Sequence, residues 1–298
     1  MKPVKFLALT MAFLLIFCLI YTPAAFGAKA SEGDENDAFL VINKKTNKMA
    51  YFSNGYLERI FDVATGRTPS LTPEGIFPIV NKIKNRPYYT DNIPGGDPRN
   101  PLGDRWLGLH VGKTYGTTYA IHGNNNEDSI GKYVSKGCVR MHNDDIHWLY
   151  DQLPLFTEVL ITTSDQPFEE LAAGAGYPVR VVFSGKLYVN GEEVTLEQPM
   201  IEYRGRMYLP LRAVFELLGG SVQWDAATRT VTSVVGERTI VHSADSNTVH
   251  MNGVAVTLSD ASYLRDGTLM MPLRGIAESL GWSVEWDGAS QSVHLAEE

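Results

Sequence analysis

The chain has 298 residues, 34 acidic against 26 basic, giving a formal net charge of −8. No long basic stripe runs through it, which excludes nucleic acid as a partner. The length is more than one hydrophobic core usually organises, so two or three compact domains are expected.

At the N-terminus, Lys2 and Lys5 precede an apolar run from Phe6 to Tyr21, followed by the small-residue stretch Thr22-Pro23-Ala24-Ala25-Phe26-Gly27-Ala28. The run falls short of the roughly 20 residues a membrane span needs, so 1–28 reads as a secretory signal peptide. Of the two cysteines, Cys18 lies in that run, and only Cys138 remains beyond it. A lone thiol in an exported chain is either buried apolar filler or a group kept for chemistry.

Phe39–Asn43, Met49–Ser53 and Tyr56–Ala64 are short β-rich runs, and Asn54-Gly55 between the second and third is a hairpin signal. Turn clusters at Thr72-Pro73-Glu74-Gly75 and Pro94-Gly95-Gly96-Asp97-Pro98 interrupt further strands, and Thr118–Ile121 is a strand that delivers His122 at its end. Ile146, Leu149, Tyr150 and Leu153 then fall on one helical face, with Asn143 as the N-cap, Asp144 and Asp145 in the first turn, and Pro154 as the stop. Phe156–Thr162 closes the unit as a strand. A mostly β domain over 38–164 follows, with 165–180 as a linker.

Residues 181–298 contain an internal repeat. Val189-Asn190-Gly191 recurs as Met251-Asn252-Gly253, Leu209-Pro210-Leu211-Arg212 as Met271-Pro272-Leu273-Arg274, and Val222-Gln223-Trp224-Asp225 as Val284-Glu285-Trp286-Asp287, always at an offset of 62. Pro210 and Pro272 suit a first helical position, and Gly219 and Gly281 the residue past the helix end. Each unit reads as hairpin, helix, strand. Alternation with Val222 and Val284 assigns Trp224 and Trp286 to the core. His242 and His250 occur in one copy only and match no ligand spacing. His110 beside an apolar strand reads as a satisfied structural histidine. His142 and His147, flanking a helix start, point to different sides and do not form a metal pair.

Chemistry concentrates between Ile121 and Met141. His122-Gly123 opens a polar loop, and Ser135-Lys136-Gly137-Cys138-Val139-Arg140-Met141 closes it. A thiol is only a few per cent ionised at neutral pH, so a nucleophile needs a base or a neighbouring positive charge. His122 can supply the base, and Arg140 and Lys136 the charge. Gly137 permits close backbone approach, and N–H groups around a tight turn at Cys138 can hold an oxyanion.

At these residues the chain resembles the YkuD-type L,D-transpeptidases, whose motif is His-Gly or His-Ser, a loop, and Ser-x-Gly-Cys-x-Arg. The resemblance covers roughly 38–164. It departs in Lys136, where many members carry His, and in Gly123, where others carry Ser; a lysine at 136 would favour the thiolate. The resemblance implies Cys138 as nucleophile, His122 as proton acceptor and donor, Gly137 in the oxyanion region and Arg140 stabilising site and substrate. Gly123, Ser135 and Lys136 are implied in substrate binding. It further implies acyl transfer from peptidoglycan stem tetrapeptides through a thioester, giving 3→3 cross-links, with no metal or organic cofactor. The alternatives are an L,D-carboxypeptidase, if water resolves the thioester, and a non-catalytic cell-wall-binding protein. The repeat resembles the stalk-like domain named after the N-terminal region of copper amine oxidases, a name that implies no copper here. Residues 181–298 would then contact the cell wall, with the protein secreted to the wall or the outer face of the cytoplasmic membrane. The expected class is mainly β: a β-sandwich-like catalytic domain with one C-terminal helix, plus a small α+β domain built from two repeat units.

Overall fold

The computed structural model describes residues 37–298, so the expected signal peptide lies outside the described residues. The first nine strands are β1 (Ala38–Asn43), β2 (Lys48–Ser53), β3 (Tyr56–Gly66), β4 (Gly75–Lys84), β5 (Arg105–Leu109), β6 (Tyr119–His122), β7 (Tyr133–Ser135), β8 (Val139–Met141) and β9 (Glu158–Thr162). They form one sheet in the order β2-β1-β9-β4-β5-β6-β8-β3-β7, and β2 also pairs with β3. That last pairing closes the sheet on itself and leaves few free edges. The 11-residue strand β3 makes closure possible, pairing at one end with β2 and at the other placing Val63 and Ala64 beside Met141 and Arg140 of β8.

Helix α1 (Asn143–Gln152) packs Ile146 and Leu149 into the closed core beside Leu40, Ile42, Leu107 and Ile121. Asn143 is not its N-cap, as the sequence suggests. His142 holds that position without a side-chain cap, and the Asn143 side chain is used elsewhere.

The segment 165–180 is not a free linker. Phe39-Leu40-Val41-Ile42 is a continuous apolar run, and such a strand must be covered on both faces. Leu40 and Ile42 face the closed core, whereas Phe39 and Val41 face a second cluster with Ala50, Phe52, Leu171, Ala172 and Tyr177. Helix α2 (Phe168–Gly174) supplies that cover. The Tyr177 hydroxyl donates to the Asp37 carbonyl at 2.7 Å and accepts from the Gly55 N–H at 2.9 Å. Tyr177→Phe leaves the Gly55 N–H without a partner, while the Asp37 carbonyl keeps the Asn54 N–H at 3.1 Å, and the expected cost is about 1–3 kcal/mol, read from urea unfolding. An unchanged midpoint would mean that water replaces the hydroxyl.

The hairpin turn Asn54-Gly55 takes positive φ at both residues, 50° and 80°, as a type I′ turn requires. A Cβ on Gly55 would lie 2.5 Å from the Tyr203 ring, so the turn is also pressed against the repeat region. Arg180 seals this contact. Its Nε donates to the Asn54 carbonyl at 2.7 Å, and its guanidinium lies 3.8 Å from the Tyr203 ring centroid and 3.9 Å from that of Tyr263. Arg204 pairs with Asp37, and Arg265 with Glu58.

In the repeat region the strands are β10 (Val181–Val182), β11 (Lys186–Val189), β12 (Glu192–Val194), β13 (Ile201–Tyr203), β14 (Arg206–Pro210), β15 (Ser221–Asp225), β16 (Thr230–Val235), β17 (Arg238–Ser243), β18 (Thr248–Met251), β19 (Val254–Thr257), β20 (Tyr263–Arg265), β21 (Thr268–Pro272), β22 (Trp282–Asp287) and β23 (Ser292–Glu297). Helices α3 (Leu211–Leu217) and α4 (Leu273–Ser279) follow β14 and β21, with Pro210 and Pro272 as N-caps and Gly219 and Gly281 at positive φ past their ends. Strands β14 and β21 are antiparallel, with Leu209 opposite Met271. Those residues are repeat equivalents, so a pseudo-twofold axis passes between them. The first hairpin, β11–β12, joins β22–β23 of the other unit, and both units share one core around Leu209, Phe215, Met271 and Ile276. The symmetry is broken by β17, inserted between β16 and β18.

Candidate active site

Parallel strands β6 and β8 are neighbours, with Ile121 opposite Val139 and His122 opposite Arg140. Side chains level with each other on adjacent strands share a face, and strand residues two apart share it too. His122 and Arg140 therefore emerge on one face of the closed sheet, and Cys138, in the turn immediately before β8, joins them there, with the Arg140 charge acting on both the imidazole and the thiol.

His122 is 3 % exposed, and its Nδ1 lies 2.7 Å from the Gly123 carbonyl. A carbonyl only accepts, so Nδ1 carries the proton and Nε2 is left as the basic nitrogen. The ring stacks on Trp106 at 5.7 Å and 11°, and the Arg86 guanidinium lies 4.3 Å from the Trp106 ring centroid. Burial, aided by the Arg140 charge, lowers the His122 pKa to about 4 against hydrogen bonding to the Gly123 and Leu102 backbone. The imidazole is neutral at physiological pH.

Cys138 is half-buried and its Sγ donates to the Thr118 carbonyl at 3.3 Å. Burial pushes its pKa up, while the Ala120 backbone and the charges of Arg140 and Arg86 pull it back. The resting pair is thus a protonated thiol beside a neutral imidazole rather than an ion pair. The favourable charge comes from Arg140 and Arg86; Lys136 is exposed and contributes nothing resolved to the thiol.

The turn that presents Cys138 is braced from three sides. Gly137 has φ +135°, and a Cβ there would meet the Leu71 carbonyl at 2.7 Å, so only glycine fits. Its carbonyl accepts from Thr72 Oγ1 at 3.0 Å, and the Thr72 hydroxyl in turn accepts from the Gly66 N–H at 2.9 Å. Buried Lys44 holds the Thr72 loop by donating to the carbonyls of Thr72 and Pro69. Ser135 Oγ accepts from the Gly137 N–H at 3.1 Å and donates to the Cys138 carbonyl at 2.6 Å.

These bonds change three expected roles. Ser135 is 2 % exposed and braces the turn instead of meeting substrate. The Gly137 N–H is committed to Ser135, whereas the Cys138 N–H has no acceptor among the described residues and is the donor available to an oxyanion. Gly123 is required by crowding: a Cβ there would lie 2.3 Å from Asn143 Oδ1. That oxygen accepts from the Asn124 N–H, and Asn143 Nδ2 donates back to the Asn124 carbonyl. Asn143 thereby locks the loop after His122. Arg140 makes no ion pair or side-chain hydrogen bond among the described residues, which leaves its charge for the site.

Other histidines have local partners. His147 Nε2 is 2.7 Å from Asp104, His142 contacts Glu127, and buried His242 lies 2.7 Å from Ser262 Oγ and 2.9 Å from the Thr248 carbonyl. His110 differs from expectation, since its Nδ1 is buried with no partner, although the ring packs on Tyr115. Arg86, Trp106 and Thr72 were not legible as site residues, because each acts through tertiary contact with a motif residue distant in sequence.

The buried His122 also gives an acid-stability signature. Its folded pKa of about 4 lies below the ordinary 6.5. Below pH 6.5 the unfolded chain takes a proton that the folded chain refuses, so stability falls as pH drops from 6.5 to 4 and levels off below. The loss is about 3 kcal/mol. Urea unfolding of wild type and His122→Asn at pH 7, 5 and 4 should show that increment in wild type alone; equal pH slopes would refute it.

Residues 37–161 match the YkuD family model, L,D-transpeptidase catalytic domain, and residues 188–295 match the copper amine oxidase N-terminal domain. The chain is 47% identical over 136 residues to YqjB of Bacillus subtilis (strain 168), named for the L,D-transpeptidases, covering 46% of this chain and 77% of that one. It is 41% identical over 108 residues to YkuD of the same organism, covering 36% of this chain and only 56% of that one. A solved L,D-transpeptidase from Mycobacterium smegmatis aligns over 42% of this chain and 58% of that chain, with 22% identity and a TM-score of 0.33. The repeat region does not fit a copper centre: among the described residues no group of three or more His, Cys, Asp or Glu could hold a metal ion. The chain belongs to the L,D-transpeptidase family, with a YkuD catalytic domain followed by a copper amine oxidase N-terminal domain.

Proposed function

We propose that this protein is exported to the wall or the outer face of the cytoplasmic membrane. There it joins peptidoglycan stem peptides by 3→3 cross-linking, with Cys138 carrying the acyl group. The observation that carries the reading is the shared face of His122, Cys138 and Arg140, with a neutral base beside a protonated thiol. On substrate binding the thiol leaves the Thr118 carbonyl and gives its proton to His122 Nε2 as sulfur attacks the carbonyl of the third stem residue. The Cys138 N–H steadies the oxyanion. As the C–N bond to the terminal D-alanine breaks, His122 returns the proton to the departing amine, leaving a thioester. An acceptor amine then attacks the thioester and its proton passes through His122 to the leaving thiolate. Arg140 supplies positive charge to the bound peptide, and exposed Lys136 lies at the rim for substrate contact.

The hydrolytic alternative does not agree with the transpeptidase family to which the chain belongs. A non-catalytic wall-binding role is disfavoured by the retained and braced Cys138 turn. Incubation with purified tetrapeptide muropeptides should give a dimer whose mass is two stems less one D-alanine. Tripeptide alone, with water incorporated, would overturn the transfer reaction.

A further inference from the structure

The two tryptophans assigned by their alternation to the core are at the surface: Trp224 is 41% exposed and Trp286 52%. Each lies in a groove. One, of about 440 Å³, is bordered by Trp286, Arg274, Glu285, Glu202 and Arg206; the other, of about 490 Å³, by Trp224, Arg212, Glu216, Glu197 and Leu264. The grooves are repeat equivalents. Positions 210, 211, 212, 222, 224 and 231 line one, and 272, 273, 274, 284, 286 and 293 line the other. In each, the wall opposite the tryptophan comes from the other unit, as the pseudo-twofold through Leu209 and Met271 requires.

The chemistry of both grooves is alike. Each indole is partly exposed, and neither indole N–H has a hydrogen-bond partner among the described residues. Phe183 meets the Trp286 ring at 5.7 Å and 62°, fixing its orientation. Gly288 leaves the Trp286 N–H uncovered, since a Cβ there would come within 3.4 Å of it. The guanidinium groups are already matched, Arg206 by Asp260, Arg274 by Glu278 and Arg212 by Glu216, which leaves the carboxylates of Glu202 and Glu285 in one groove and Glu197 in the other. Glu202 and Glu285 have no ion pair among the described residues. A groove with an exposed indole, unpaired carboxylates and matched guanidinium groups suits neither a polyanion nor an apolar helix. It suits a pyranose ring, whose C–H face packs on an indole while its hydroxyls bond to carboxylates and guanidinium groups.

We propose that the two grooves bind the uncharged N-acetylglucosamine rings of a repeating amino-sugar polymer, the glycan strand of peptidoglycan. The choice of this polymer rests on the proposed wall function, whereas the saccharide chemistry rests on the grooves. Two equivalent sites on one rigid domain fit a ligand that repeats, because engagement of the second site becomes intramolecular.

The test uses the full-length protein and uncharged N-acetylglucosamine oligomers, the half of the repeat that carries no lactyl acid, so the catalytic cleft has no stem peptide to hold. Binding is read by calorimetry for wild type, Trp224→Ala, Trp286→Ala, the double variant and the two Trp→Phe variants. Each alanine is expected to weaken binding roughly tenfold and the double variant at least a hundredfold, with phenylalanine retaining most affinity. Thermal melting and soluble stem-peptide turnover should not change. Glycan binding by the folded double variant within twofold of wild type would overturn the proposal. So would wild-type binding of free stem tetrapeptide or teichoic acid at these tryptophans in place of glycan. Loss of wild-type turnover on soluble peptides would count against the proposed reaction and leave the grooves standing.

Discussion

Cys138→Ala is expected to fold normally and to form neither a thioester nor a cross-linked dimer. Cys138 is the single free cysteine among the described residues, and its Sγ makes one side-chain hydrogen bond, to the Thr118 carbonyl. The turn around it is held by Thr72, Ser135 and the glycine backbone, none of which needs sulfur. The substitution therefore removes the nucleophile and little packing. Cys138→Ser should lose at least about 10³-fold, because a hydroxyl is far harder to deprotonate than a thiol and a histidine of such low basicity gives it little help. The measurement is intact mass after exposure to a carbapenem, a class of β-lactam that acylates this family: wild type should gain the mass of one adduct and both variants none. An adduct on Cys138→Ala would remove the basis of the assignment.

Local signals were the most legible. Asn54-Gly55 announces its turn because only residues tolerant of positive φ serve there, and the observed angles agree. The repeat was visible because equivalent residues meet equivalent environments, down to the glycines after α3 and α4. His122 and Cys138 could be named from their motif, and the register of β6 and β8, with the turn before β8, brings them to one face. What failed was long-range. Asn143 has the residue type of an N-cap, but its side chain satisfies the Asn124 backbone across the loop, a tertiary competitor that outweighs the local preference. The segment 165–180 has the composition of a linker, and only the two-sided apolar run of β1 hints that something must cover it. For Trp224 and Trp286 the alternation was right about the strand. It was wrong about the faces, because the repeat leaves a groove where a second layer would have packed.

The substitution His122→Ala should slow carbapenem acylation by roughly 10²–10⁴-fold at neutral pH, the usual contribution of a positioned base. The shape of the pH profile separates this from a structural loss. In wild type the base is neutral above its pKa of about 4, and burial holds the thiol protonated well into the alkaline range. Acylation should therefore rise as pH passes through about 4 and stay level across neutrality, without the narrow bell of a thiolate–imidazolium pair. His122→Ala has no internal base, so only the small thiolate fraction reacts. Its rate should climb roughly tenfold per pH unit until the thiol ionises, and the gap to wild type should close as it does. Added to His122→Ala, Arg86→Ala and Arg140→Ala should shift that climb to higher pH, because both charges pull the thiol pKa down, and the Lys136 comparison is made in the same His122→Ala background. Lys136→Ala should not shift it. A level profile in His122→Ala would move the base elsewhere, and a displaced climb in Lys136→Ala would transfer the activating charge from the two arginines to that lysine.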